Sequence, residues 1–350
     1  MDVLERIRDL KGYQSLLRKL QSRAGVPGLG LLRAARLPVL AALRKDIAAP
    51  IVLITDRTDR ALTLLDELAF WLDGEAPLYF PEPNPLFYEL AAWGTATRRD
   101  RLQALTALAA YHFIGGAKPE KAPVLVAPVR AVMTRTLPRR DFIKNSKAIK
   151  LNQMIPQSSL TRTWVEIGYQ PADTVLEPGQ FSHRGGILDV WPPAEKSPVR
   201  LEFFGDEIDT MRRFDPATQR TIEKLDKVLI TPAREVLLGY AQKLPGWEKP
   251  ELDEFDLPLV HPAPASLLDY LPAGALVCVD DLDLLQTVAN EIEEQAVKLR
   301  GDSLQEGTLA ADYPVPYLTF SEIQDNLSMH QWVDLGYANA DEDAALARAF

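Results

Sequence analysis

The sequence predicts an α/β protein whose main domain is interrupted by a smaller α+β domain, and three observations lead there. Short, wholly apolar runs alternate with helix-period segments near both ends of the chain. The middle shows short runs of β character divided by turns, and the first rhythm resumes after the second stops. Strands alternating with helices imply a parallel sheet covered on both faces, whereas short strands between turns imply an antiparallel one. The expected divisions are residues 1–135 and 234–335 for the two parts of the α/β domain, 136–233 for the insert, and 336–350 for a linker or the start of a following domain.

Each element has its own signal. Ile51-Val52-Leu53-Ile54 reads as a strand, and Ala61, Leu64, Leu65, Leu68 and Trp71 recur at helical spacing after it. Leu78-Tyr79-Phe80 reads as a second strand and runs into the proline-rich breaker at 81–85. Leu102, Leu105 and Leu108 mark another helix, and residues 123–127 another strand. In the middle, residues 148–151, 186–191, 199–204 and 207–212 have strand character, with a helix expected near 160–168. The strand 276–279 and a helix over 284–299 restore the α/β rhythm. A last helix is expected from Asp341, and the chain stops inside it at Phe350, an ending that suggests a piece of a longer protein.

A length of 350 residues suits two or three domains, and 47% hydrophobic with 25% charged residues is ordinary for a globular chain. Lys and Arg number 39 against 49 Asp and Glu, a formal net charge of −10. Sequence-independent DNA binding draws on a surplus of cations that displace counterions from phosphates, so protein is the better partner class. The one cysteine, Cys278, lies in an apolar run, cannot form an internal disulfide, and fits a reducing, cytoplasmic setting. The first twenty residues interleave charges with leucines, unlike a secretory signal, and no apolar run is long enough to span a bilayer.

Residues 25–32, GVPGLGLL, have the glycine spacing of a phosphate-binding loop, with Gly25, Gly28 and Gly30 in place. The lysine and hydroxyl residue that would meet phosphate and Mg²⁺ are replaced by Leu31 and Leu32. A site of that ancestry is expected to be dead, and no cofactor is expected in this segment. Asp280-Asp281 after the strand 276–279 resembles the Mg²⁺-holding strand end of such ATPases; without the lysine it reads as a solvated strand end. His112, His183, His261 and His330 lack metal-type spacing. No catalytic residue and no metal site is read.

The informative stretch lies at 185–208. Strand alternation puts Val199, Leu201 and Phe203 on a core face and Arg200, Glu202 and Phe204 on an open one. Gly205-Asp206 suits a two-residue turn, which sets Phe203 opposite Ile208 and Phe204 opposite Glu207. An exposed aromatic beside an arginine is the composition of an interface hot spot. Pattern alone leaves open an ordinary surface ring or one covered by a loop. The facing of Arg184 stays undetermined, because Gly185-Gly186 could bulge. A basic cluster, Arg130, Arg135, Arg139, Arg140, Lys144, Lys147 and Lys150, could touch nucleic acid or an acidic partner, and reads as a solvated face or linker.

Residues 175–193, 199–208 and 214–220 resemble, segment by segment, the bacterial transcription-repair coupling factors, the Mfd family, and in part the excision-repair helicase UvrB. Residues 266–272 and 313–318 are similar to later segments of the same family's N-terminal region. The resemblance implies a UvrB-like, degenerate phosphate-loop α/β domain, discontinuous in sequence, carrying an inserted domain that binds UvrA, the damage-sensing ATPase of nucleotide excision repair. It implies that Arg184, Arg200 and Phe204 contact UvrA, so that Phe204→Ala or Arg200→Ala weakens binding without unfolding the domain. His183 departs from the small or aliphatic residue usual before that arginine, and residues 219–221 are a conservative variant. UvrB itself would need the lysine and threonine that Leu31 and Leu32 replace. Family members are ATP-driven DNA translocases that release RNA polymerase stalled at lesions, with ATP and Mg²⁺ in motor domains and with polymerase and DNA contacts beyond this region. A C-terminal domain is thought to mask their UvrA surface, so this segment is expected to bind UvrA constitutively.

Overall fold

The computed structural model describes residues 3–23, 26, 28–72, 74–89, 91–113, 119–247 and 252–336. They divide into two compact units. The first draws on residues up to Glu89, on 110–135 and on those from Ser266; the second draws on residues up to Ala109 from the segment after Glu89, and on Thr136–Ala265. The second unit is thus wider than the 136–233 stretch expected from pattern. The helical antenna of leucines at 102–108, expected in the α/β domain, belongs to it instead.

The chain opens the first unit with helices α1 (Val3–Arg8), α2 (Lys11–Gln21) and α3 (Arg33–Asp46). Strand β1 (Ile51–Thr55) follows, buried at all five positions, as a strand covered on both faces must be. Helix α4 (Thr58–Trp71) buries Ala61, Leu64 and Leu68, one stripe at helical spacing. Strand β2 (Leu78–Tyr79) completes this part.

Helix α5 (Thr95–Ala109) goes to the second unit. Its Arg101 is buried there, giving Nε to Glu235 Oε1 at 2.5 Å and Nη2 to Oε2 at 3.2 Å, with its guanidinium 4.8 Å from the Trp93 ring. The chain returns to the first unit with β3 (Val124–Pro128) and α6 (Val129–Met133).

The second unit then takes α7 (Arg139–Lys144), β4 (Lys147–Lys150), α8 (Gln157–Glu166), β5 (Gln170–Pro171), β6 (Gln180–Arg184), β7 (Ile187–Val190), β8 (Val199–Phe204), β9 (Glu207–Phe214), β10 (Thr221–Lys224) and β11 (Lys227–Ile230). Short helices α9 (Leu238–Ala241) and α10 (Leu257–Val260) end it. The sheet order is β10-β9-β8-β7-β6-β5, antiparallel except for the β5–β6 pair, and β4 pairs with β11 separately. Helix α8 covers one face, setting Trp164 edge-on to Phe181 with centroids 5.6 Å apart. The other face carries the polar half of each alternating strand.

The last part of the first unit is β12 (Leu276–Val279), α11 (Leu282–Gln305), α12 (Phe320–Ser328) and β13 (Gln331–Asp334). Its sheet is wholly parallel in the order β13-β12-β1-β3-β2. Ile51 and Leu53, Leu276 and Cys278 meet the leucines of α2, α3 and α4 in one core. Among the described residues no helix is long and apolar enough to cross a membrane. The helix expected from Asp341 lies outside the described residues.

Candidate protein-docking face

The open face of the six-stranded sheet is built around the β8–β9 hairpin. Gly205 at its turn has φ +63°, a conformation that glycine adopts without a Cβ penalty. The pairing sets Phe203 opposite Ile208 and Phe204 opposite Glu207. Val199 and Leu201 are fully buried, and Phe204 stands 81% exposed. Phe203 is only half-buried, short of the core position expected for it. The reason is a register shift after Glu202: Glu202 faces Thr210 while Phe203 faces Ile208, so Asp209 is an extra residue and the hairpin tip bends from the core.

Two cross-strand rows fill the face. Ser182, Asp189, Arg200 and Arg212 form one, and Arg184, Ile187, Glu202 and Thr210 the other. Gly185 and Gly186 make the β6–β7 turn without breaking alternation, so Arg184 falls on the open face. A Cβ on Gly186 would come within 3.2 Å of the Phe203 carbonyl oxygen.

Asp189 is buried at the centre. Arg200 grips it with Nε on Oδ1 at 2.7 Å and Nη2 on Oδ2 at 2.8 Å, while Arg184 reaches Oδ2 with Nη2 at 3.2 Å. The Asp189 carboxylate pushes the Arg200 guanidinium further up from its ordinary pKa. Arg200 also donates to Gln219 Oε1 at 2.8 Å and lies 4.5 Å above the Phe214 ring. Arg212 and Thr210, donating to Glu202, hold that carboxyl below its usual range.

The three singled-out residues therefore differ in kind. Phe204 is free at the tip, and Arg184 is 55% exposed, with one bond to a carboxylate already held by two. Arg200 is only 14% exposed and is engaged in supporting the face. Asp189 and Gln219 escaped the sequence reading. Asp189 was legible as the charged residue sharing a strand face with Ile187. Gln219 depends on a turn in which Asp215 Oδ1 accepts from the Thr218 N–H at 2.7 Å and from its hydroxyl at 2.8 Å, leaving Gln219 at φ +60°. The Thr218 backbone and side-chain hydrogen bonds lower the Asp215 pKa.

The glycine-rich loop and Asp280-Asp281 fall in the first unit. Gly25 of the glycine-rich loop lies outside the described residues. Gly28 and Gly30 flank Leu29, whose N–H donates to Asp334 O at 2.8 Å; the N–H of Leu31 donates to Leu335 O at 2.9 Å. Those amides are spent on the end of β13, Leu31 is buried, and Leu32 is exposed. Asp280 is not the solvated strand end expected of it. It is buried, with Arg36 Nη1 at 3.0 Å and Arg60 Nε at 2.9 Å, and Asp281 receives Arg36 at 3.4 Å. Burial pushes the Asp280 pKa up, but hydrogen bonds and charge from Arg60 and Arg36 hold it below the ordinary value.

The basic cluster also divides. Arg130 and Arg135 are in the first unit and the rest in the second, and Arg130 is no solvated cation, since Glu82 Oε2 lies 3.0 Å from its Nε. Among the described residues no group of His, Cys, Asp and Glu is placed to hold a metal.

Comparison with known proteins gives this face a context. Residues 148–236 match the family model described as the UvrB interaction domain, a span that includes Arg184, Arg200 and Phe204. A transcription-repair-coupling factor of Bacillus subtilis is 29% identical over 322 residues, covering 81% of this chain and 26% of the relative. One of Myxococcus xanthus is 36% identical over 239 residues, 67% of this chain and 19% of the relative. One of Escherichia coli is 30% identical over 205 residues, 59% and 17% of the two. The chain thus spans about a quarter or less of the length of these relatives. These relatives are transcription-repair-coupling factors, and residues 148–236 are similar to the UvrB interaction domain.

Proposed function

We propose that this chain is the N-terminal part of a transcription-repair coupling factor and that the open face of its second unit docks UvrA, bringing excision repair to RNA polymerase stalled at a DNA lesion. On this reading the parallel-sheet unit is a UvrB-like domain whose nucleotide site has been lost. Translocation on DNA, with its ATP and Mg²⁺, belongs to other parts of the full-length protein. The observation that carries the proposal is Phe204, 81% exposed at a hairpin tip on the same sheet face as two arginines that share one buried carboxylate. A large ring held out by a rigid sheet costs little conformational entropy to bury, and such anchors dominate interface energetics.

The test is a calorimetric titration of UvrA with this chain and with Phe204→Ala and Arg184→Ala. Loss of about 2 kcal/mol, roughly thirtyfold in affinity, is expected of Phe204→Ala. Wild-type affinity in both variants overturns the proposal.

A further inference from the structure

Phe204 has an apolar companion on the same line of backbone pairing. Across the hairpin Phe204 is paired with Glu207, and on its other side Glu207 is bridged in antiparallel fashion to Met154. Directly opposed residues in antiparallel pairs point to one face, so Phe204, Glu207 and Met154 make a single row. Three hydrogen bonds fix the bridge: Ile155 N–H to Asp206 O at 2.8 Å, Ile208 N–H to Gln153 O at 3.1 Å, and Asn152 N–H to Ile208 O at 2.9 Å. Met154 is 69% exposed. Two strand spacings separate it from Phe204, about 10 Å, so one partner surface can cover both.

The row itself carries the Glu207 carboxylate, and elsewhere on the same sheet face two arginines share one acid. Arg184 and Arg200 carry two positive charges against the single carboxylate of Asp189, and Arg200 takes both of its oxygens. Arg184, the more exposed of the two, holds on by one bond of 3.2 Å. An incoming carboxylate would make a shorter, charge-assisted contact with Arg184 and leave Asp189 satisfied by Arg200.

We infer that Met154 is a second apolar anchor of the docking face, and that the partner presents apolar surface to Phe204 and to Met154 on either side of a solvated Glu207, with a carboxylate that takes up Arg184. This rests on the proposed docking of UvrA, and the partner is that protein. Methionine suits the position, because its unbranched thioether adapts to the shape it meets.

The test compares UvrA affinity for the whole chain and its Met154→Ala, Met154→Leu, Phe204→Ala, Arg184→Ala and Arg184→Glu variants, with the thermal midpoint of each as a control for folding. Met154→Ala is expected to bind about fivefold more weakly or worse, and Met154→Leu to stay near wild type. Arg184→Glu is expected to bind more weakly than Arg184→Ala, because it sets two carboxylates face to face. Wild-type affinity for Met154→Ala beside a weakened Phe204→Ala overturns the second anchor and leaves docking by this face standing. Equal affinities for Arg184→Glu and Arg184→Ala overturn the partner carboxylate. Wild-type affinity in Phe204→Ala, Arg184→Ala and Met154→Ala together, or no binding by the wild-type chain, overturns the docking reading and this inference with it.

Discussion

Arg200 closes side-on upon the buried carboxylate of Asp189 with its Nε and Nη2, at 2.7 and 2.8 Å, from the neighbouring strand. The pair sits under the proposed docking face as its support. Removing one partner of a buried ion pair leaves an unpaired charge, at about 3–5 kcal/mol where burial is complete. Here Arg184 remains beside Asp189, so Arg200→Ala is expected to lower stability by roughly 2–3 kcal/mol. Phe204→Ala, at an exposed tip, is expected to change it by no more than about 0.5 kcal/mol. Urea unfolding separates the two. If the proposed docking of UvrA holds, a fall in affinity for Arg200→Ala reports lost support as well as lost contact, whereas one for Phe204→Ala reports contact alone.

The glycine-rich loop leads to a second prediction. A phosphate loop works by aiming free amides at the phosphates, and here the Leu29 and Leu31 amides are bonded to the carbonyls of Asp334 and Leu335. The double change Leu31→Lys and Leu32→Thr, which restores the residue types of a nucleotide site, is expected to give no saturable ATP binding. It is also expected to destabilise the chain by about 2 kcal/mol or more, because Leu31 is buried and a lysine there must be desolvated or expelled. ATP titration followed by fluorescence, with thermal unfolding of the same variant, checks both outcomes.

Asp280 carries a third. Arg36 and Arg60 converge on it, and Arg36 is itself buried. Asp280→Asn keeps the shape but removes the charge, leaving Arg36 with Asp281 at 3.4 Å and the Leu31 carbonyl at 3.2 Å. A loss of about 3 kcal/mol is expected in denaturant unfolding. Because the folded-state pKa of Asp280 is lowered, its contribution is present above the unfolded carboxylate value and disappears as pH falls through the folded one. The wild type should therefore lose its advantage over Asp280→Asn in acid.

How far these features were legible follows from the range of the forces behind them. The runs at 51–55 and 276–279 announce buried parallel strands because each is apolar without interruption. The hairpin was legible because alternation and a Gly-Asp turn agree on one register. The bulge at Asp209 was not, since it depends on which strand neighbours which. Met154 had no signal at all: residues 152–155 lack a strand pattern, and only the long-range bridge to Glu207 sets the side chain in line with Phe204. The same holds for Arg101 and Glu235, buried partners 134 residues apart that bind α5 into the second unit. Asp280 was misread because its arginines come from α3 and α4, more than 200 residues earlier.

A last prediction concerns pH. His261 is buried, its Nδ1 lies 3.2 Å from Asp141 Oδ2, and its Nε2 accepts the Leu237 N–H at 3.4 Å. An Nε2 that accepts is unprotonated, so the ring is neutral, with its proton on Nδ1 facing Asp141. Burial pushes the pKa below the ordinary 6.5, and the charge and hydrogen bond of Asp141 offset only part of that. As pH falls through about 6.5 the unfolded histidine takes up a proton while the folded one resists, so the unfolded state binds more protons and gains ground. Stability is expected to be full above that value and to decline below it, at up to about 1.4 kcal/mol per pH unit, until the folded ring itself titrates. Tyr240, whose hydroxyl also donates to Asp141 at 3.1 Å, would keep its partner in a His261→Gln variant. Urea unfolding of wild type and His261→Gln from pH 7.5 to 5 should show the decline in the first and a flatter profile in the second. Parallel profiles would mean that the ring already carries its proton in the folded chain, against the Leu237 amide that points at Nε2.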